Sequence, residues 1–117
     1  MTLNPSEITE NHTLFLDRDG VINRRLADDY VKSWEEFEFL DGVPEAIRIF
    51  SGIFKRIIIV SNQQGIGKGL MTEDDLDEIH HCMLKQINRA GGRIDKIYFC
   101  PYLKETNPFC RKPRIGM

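Results

Sequence analysis

Leu14-Phe15-Leu16-Asp17-Arg18-Asp19-Gly20-Val21 is the stretch on which the reading of this chain turns. An apolar run long enough for one buried strand ends abruptly in two carboxylates at i and i+2. At the carboxyl end of a strand in an open α/β sheet, side chains project into the crevice where ligands bind. Two aspartates on a tight glycine-containing turn there can hold a hard divalent cation and present one oxygen to a substrate. That arrangement suits phosphoryl transfer. An isolated Asp-x-Asp is more often a plain polar turn, so its neighbours in sequence must decide.

Downstream, the pattern alternates between strand and helix periods. Residues 21–40 mix charges with Tyr30, Trp34, Phe37 and Phe39 and are too long for a simple connection, which predicts a flap over a site. Asp41-Gly42-Val43-Pro44 opens a helix whose core face is Val43, Ile47, Phe50 and Phe54. Ile57-Ile58-Ile59-Val60 shows no polar alternation, as expected of a strand covered on both faces, and it stops at Ser61-Asn62. Thr72 caps a second helix with apolar residues Leu76, Ile79, Met83 and Ile87, closed by Gly91-Gly92. A third strand covers 94–99. The order β-α-β-α-β predicts a parallel sheet with right-handed crossovers.

Composition narrows the function classes. The 117 residues predict one domain, 1–117, with a single core. A net charge of −2 offers no electrostatic footprint for nucleic acid or an anionic membrane. No apolar run approaches the roughly 20 residues of a membrane-spanning helix. The N-terminal residues lack a basic-then-apolar signal pattern, so a cytoplasmic protein is expected. Three cysteines are too few for a disulfide scaffold.

A polar motif follows each strand. Asp17 and Asp19 come after the first. Ser61 and Asn62 come after the second, where a hydroxyl and an amide can bind phosphate oxygens. Arg111-Lys112-Pro113 comes after the third, where a cation can neutralise charge shared by a nucleophile and a phosphate. Alone, the second is most simply a turn and the third a solvated basic pair; their joint placement is harder to dismiss. The glycines of 64–69 do not fit the Gly-x-x-x-x-Gly-Lys-Ser/Thr phosphate loop, because position 62 is Asn and position 69 is Gly. They predict a mobile loop with positive-φ positions.

With those residues in place, the sequence resembles the haloacid dehalogenase-like superfamily of phosphohydrolases. More narrowly, it resembles the branch of D-glycero-D-manno-heptose-1,7-bisphosphate phosphatases and histidinol-phosphatase domains. FLDRDGVIN (15–23), IVSNQQGIGKG (59–69) and CRKPRIGM (110–117) carry the resemblance, which covers nearly the whole chain. It implies a doubly wound, three-layer α/β/α fold with a mainly parallel, Rossmann-like sheet. It also implies that Asp17 attacks phosphorus to form an aspartyl-phosphate, while Asp19 protonates the leaving oxygen and then activates water. Mg²⁺ would sit between the Asp17 carboxylate, the Asp19 main-chain carbonyl and the phosphate. Ser61 and Asn62 would hold phosphate oxygens, Lys112 would match the family's lysine, and Arg111 would reach the substrate. The implied substrate is a small phosphorylated metabolite, heptose bisphosphate first and histidinol phosphate second. A non-catalytic phosphate-binding or interaction module is the rival from another class.

Two departures from the family pattern bear on these expectations. The family completes its Mg²⁺ site with an acidic motif on a later strand, and no candidate for it occurs here. The residues are therefore expected to be the larger part of a longer domain, with strand one exposing an apolar edge through which copies associate. The family's zinc loop is the second departure. Cys100 and Cys110 match its outer positions, but Tyr102 and Pro108 stand where further ligands belong, and structural zinc takes four. Zinc is not expected. His80 and His81 read as surface residues and Cys82 as core.

Overall fold

Three short β-branched or aromatic runs form one parallel sheet, and the 3.6-period segments between them form the crossing helices. In a computed structural model of the chain, residues 12–27 and 29–100 are described. Strand β1 is Thr13–Leu16, β2 is Arg56–Asn62 and β3 is Lys96–Cys100. Their order is β1-β2-β3, with Leu14 beside Ile57, Leu16 beside Ile59 and Ser61 beside Phe99. Helix α1 is Val43–Ser51, the single turn α2 is Gln64–Gly67, and α3 is Glu73–Arg89.

Both long crossovers step in the same direction across the sheet. Right-handed connections then put α1 and α3 on one face, where they touch each other. That face of the sheet is the core. Ile57 and Ile59 are fully buried there, opposite Ile47 of α1 and Leu76, Ile79, Met83 and Ile87 of α3. Each such side chain contributes about 1.5–3 kcal/mol of transfer free energy. Thr72 and Asp75 exchange side-chain and backbone bonds in a capping box, which starts α3 where the sequence placed its cap.

The opposite face differs from expectation. β1 was expected to be a buried strand and β2 to be covered on both faces. Instead β2 alternates between buried and half-buried, and Phe15 of β1 is 62% exposed. Phe15 and Ile58 are register partners, as are Val60 and Tyr98, so these residues share one face. The described residues supply a helical layer only on the other side. The second helical layer expected of a three-layer sandwich is not among them.

Two boundaries and one burial also differ from expectation. Ser61 and Asn62 lie inside β2, paired with Phe99 and Cys100, rather than after it. Residues 64–67 of the glycine loop form the turn α2, and its positive φ appears only at Gly69. Cys82, expected in the core, is half-buried beside the apolar face of α3. No described helix is long and apolar enough to cross a membrane.

Candidate active site

The site begins where β1 ends. Gly20 has φ +86°, which a side chain would strain, and it turns the chain back on itself. The Arg18 carbonyl accepts from the backbone amides of Val21, Ile22 and Asn23 at 3.1, 2.7 and 3.2 Å, and Gly20 N–H donates to the Asn23 carbonyl at 2.8 Å. None of these bonds uses the Asp19 carbonyl. Asn23 and Ile22 in turn join the far leg of the flap, where Asn23 bridges to Phe39 and Ile22 accepts from Leu40 at 3.0 Å. Trp34, Phe37 and Phe39 pack together beneath, with the Trp34 and Phe37 rings stacked at 4.9 Å. The flap is thus anchored at both ends next to the aspartates.

Asp17 is exposed at the end of β1. Asp19 is held from three sides. Its Oδ1 accepts from Arg18 Nη2 at 2.9 Å and Asn23 Nδ2 at 3.0 Å, and its Oδ2 accepts from Gln63 Nε2 at 2.9 Å. Burial pushes the Asp19 carboxyl up. The Arg18 charge and the hydrogen bonds from Asn23, Arg18 and Gln63 outweigh burial and hold it below the ordinary carboxylate value. Gln63 also lies 2.6 Å from the Ser61 hydroxyl, which is buried, and its own backbone N–H donates to the Cys100 carbonyl at 2.8 Å. One residue, through its side-chain amide and its backbone N–H, therefore connects the ends of all three strands.

Behind Asp19, Arg18 is completely buried, with its guanidinium 5.9 Å over the Phe37 ring and Nη1 3.1 Å from His80 Nε2. His80 was expected at the surface. It is only 7% exposed, because it falls on the same helical face as Leu76, Ile79, Met83 and Ile87. Burial first, and then the Arg18 cation, push its pKa down to about 4. His81, one position on, is exposed as expected.

In front of Asp19 lies a cavity of about 520 Å³, lined by Asp19, Asn62 and Gln63 on the strand side and by Arg25, Tyr30 and Lys68 on the outer side. That volume suits a small metabolite. The flap closes onto the turn after β2. A Cβ at Gly65 would lie 3.3 Å from Tyr30 Cβ and 3.2 Å from Met71 Sδ, so a larger residue would make these neighbours give by a few tenths of an ångström. Lys68 Nζ sits 5.2 Å from the Tyr30 ring centroid.

Comparison with known proteins decides the family. Over 104 residues, 89% of its length, the chain is 43% identical to a D-glycero-alpha-D-manno-heptose-1,7-bisphosphate 7-phosphatase of Mycobacterium tuberculosis. It is 39% identical over 104 residues to a D-glycero-beta-D-manno-heptose-1,7-bisphosphate 7-phosphatase of Neisseria meningitidis. A D,D-heptose 1,7-bisphosphate phosphatase from B. bronchiseptica, crystallised with magnesium and phosphate, superposes with a TM-score of 0.82 at 35% identity, covering 89% of this chain and 57% of that one. The chain belongs to the haloacid dehalogenase-like phosphatases, in the heptose-1,7-bisphosphate phosphatase branch. It spans 55% of the length of each of the two sequence relatives. No family model matches it.

Among the described residues of this haloacid dehalogenase-like chain, no three His, Cys, Asp or Glu side chains gather as a metal centre. The oxygen donors at the β1 turn are the exposed Asp17 carboxylate and the Asp19 carbonyl. Mg²⁺ is commonly bound this way, through one or two carboxylates with water and substrate phosphate completing its shell. The residues fit that ion. Cys100 is buried at the end of β3. Cys110, Arg111 and Lys112, with Tyr102 and Pro108 of the expected zinc loop, lie outside the described residues.

The structure therefore brings Asp19 and Ser61 together on Gln63, with Asn62 on the same cavity wall, while Asp17 is exposed at the end of β1 and is not one of the residues lining that cavity. Sequence reasoning missed Arg18, Asn23, Gln63 and His80. His80 had a signal, its place on the apolar stripe of α3. Gln63 had a weaker one, as the residue after the polar pair that ends β2.

Proposed function

We propose that the protein is a Mg²⁺-dependent phosphatase that removes the 7-phosphate of a D-glycero-D-manno-heptose 1,7-bisphosphate through an aspartyl-phosphate. The observation that carries this reading is an Asp19 locked by three donors at the rim of a metabolite-sized cavity, two residues after an exposed Asp17. Relatives named for both anomers support the substrate class.

An Asp17 oxygen attacks phosphorus as the bond from phosphorus to the sugar oxygen breaks, and protonated Asp19 gives its proton to that oxygen. Asp19, now a carboxylate, takes a proton from water. The water oxygen attacks phosphorus, the bond to Asp17 breaks, and phosphate leaves with both aspartates restored. On their own the donors around Asp19 favour its ionised form, which suits it to the second, base-catalysed step. The negative charge of a phosphate bound beside it pushes the carboxyl back toward the protonated form that the first step uses. The Asp17 carboxylate and the Asp19 carbonyl would hold Mg²⁺, which when bound would supply charge neutralisation for the transferring phosphoryl group. Ser61 and Asn62 hold phosphate oxygens, with Lys112 and Arg111 completing the anion site. Arg25 and Lys68 on the outer wall give the cavity cations for an anionic sugar. A sugar bisphosphate does not cross membranes unaided, which accords with a cytoplasmic enzyme.

The test is phosphate release by the intact protein from heptose 1,7-bisphosphate and from histidinol phosphate, with and without Mg²⁺. Preference for the heptose and dependence on Mg²⁺ support the reading. Preference for histidinol phosphate contradicts the substrate, and no release from either contradicts the enzyme.

A further inference from the structure

Arg18 stands between the two aspartates, yet it points away from the cavity into the core. Its side chain is fully buried, and its Nε finds no partner among the described residues. Withdrawing a guanidinium from water costs several kcal/mol, and an apolar chain of similar volume often serves stability as well or better. A stability role alone therefore explains Arg18 poorly. Its two terminal nitrogens have definite tasks. Nη2 reaches Asp19 Oδ1 at 2.9 Å and Nη1 reaches His80 Nε2 at 3.1 Å.

Arginine offers only donors, so the facing nitrogen of His80 acts as an acceptor and the ring carries its proton on Nδ1. Position 80 thus requires an acceptor rather than a base. His80 lies between Ile79 and Met83, both fully buried, on the longest helix of the fold. A bond from such a residue fixes Arg18 against a rigid element, and Arg18 then fixes one oxygen of Asp19. Gln63 fixes the other oxygen from the end of β2.

We propose that His80 is a positioning residue for departure of the leaving group, acting through Arg18 to hold the Asp19 carboxyl where its proton reaches the departing oxygen. This rests on the aspartyl-phosphate reading above. It goes further in tying the acid to a side chain on α3 that touches neither substrate nor phosphate.

The test uses the leaving group. In the intact protein, kcat/KM reports the steps through departure of the alcohol, the stage at which an alkoxide needs a proton and a nitrophenolate does not. His80→Leu keeps the bulk and loses the acceptor; His80→Gln keeps an acceptor. With His80→Leu, kcat/KM for heptose bisphosphate is expected to fall about tenfold or more, as expected for a misplaced general acid. For p-nitrophenyl phosphate it is expected to stay within about threefold, and His80→Gln is expected to restore the sugar phosphate rate. Equal losses on both substrates overturn the proposal, as does a His80→Gln variant as impaired as His80→Leu. Should His80→Leu not fold, Arg18→Lys carries the same test, with the same substrate-selective loss expected and an unselective one overturning it. Asp17→Asn separates the two layers: if it releases phosphate like the parent, the aspartyl-phosphate reading fails. If it is inactive while His80→Leu is unimpaired, only the role of His80 fails.

Discussion

Gln63 Nε2 lies 2.9 Å from Asp19 Oδ2 and so ties the turn after β1 to the end of β2. The same nitrogen meets the buried Ser61 hydroxyl at 2.6 Å. Replacing it with an apolar side chain removes a donor from a carboxylate and strips the Ser61 oxygen of this partner. Gln63→Leu is expected to lose about 1–3 kcal/mol of stability, read as a lower urea midpoint at unchanged slope. An unchanged midpoint contradicts this role for Gln63.

His80 makes stability depend on pH in a definite direction. Its folded pKa is about 4, and its ordinary value is 6.5. Between those values the unfolded chain binds a proton that the folded chain refuses, so stability falls as pH drops from about 6.5 to about 4 and levels off below. The loss amounts to at most about 3 kcal/mol. The groups facing the ring are Arg18, which deepens the effect, and Asp19, which opposes it. Urea unfolding at several pH values should show this slope in the parent and not in His80→Gln. A slope that survives the substitution assigns it to other groups.

The fit of Tyr30 over Gly65 gives a third expectation. A methyl group at 65 presses on Tyr30 Cβ and Cγ, both at 3.3 Å, and these cannot swing aside as the Met71 sulfur can. Gly65→Ala is expected to lift the flap, destabilise by about 1–3 kcal/mol and raise KM more than it lowers kcat. An unchanged KM counts against the flap as a cavity wall.

Arg93 provides a contrast away from the site. Its Nη2 donates to the carbonyls of Phe54 and Lys55 at 2.6 and 2.7 Å and Nη1 to that of Ser51, while Asp95 Oδ2 accepts from Ile57 N–H at 2.8 Å. This knot joins the segment after α1 to the entry of β3. Arg93→Ala is expected to lower stability by about 1–2 kcal/mol with kcat/KM unchanged. Loss of activity in a folded Arg93→Ala protein contradicts its purely structural placement.

Much of this was legible in the sequence, for reasons that differ by element. β1, α3 and the start of α1 fell where caps, glycines and periodicity placed them, because those signals are local, whereas Phe54, read as part of the α1 face, lies beyond the helix end at Ser51. Asp17 and Asp19 stood out because a polar pair ending an apolar run is conspicuous. Arg18 and His80 did not. They lie 62 positions apart and acquire meaning only when α3 packs on the sheet. A charged residue reads as solvent-facing until the fold removes the solvent. The coverage of β2 was misread for a related reason: an unbroken Ile-Ile-Ile-Val run states that a strand is apolar, not which layers cover it.

The central claim is that Asp17 is the nucleophile of a Mg²⁺-dependent phosphatase. The most direct measurement is the rate of phosphate release from heptose 1,7-bisphosphate by the intact Asp17→Asn protein beside its parent, in Mg²⁺. The account expects a loss of about a thousandfold or more at unchanged thermal stability, as for removal of a covalent nucleophile. Release at the parent's rate would contradict it.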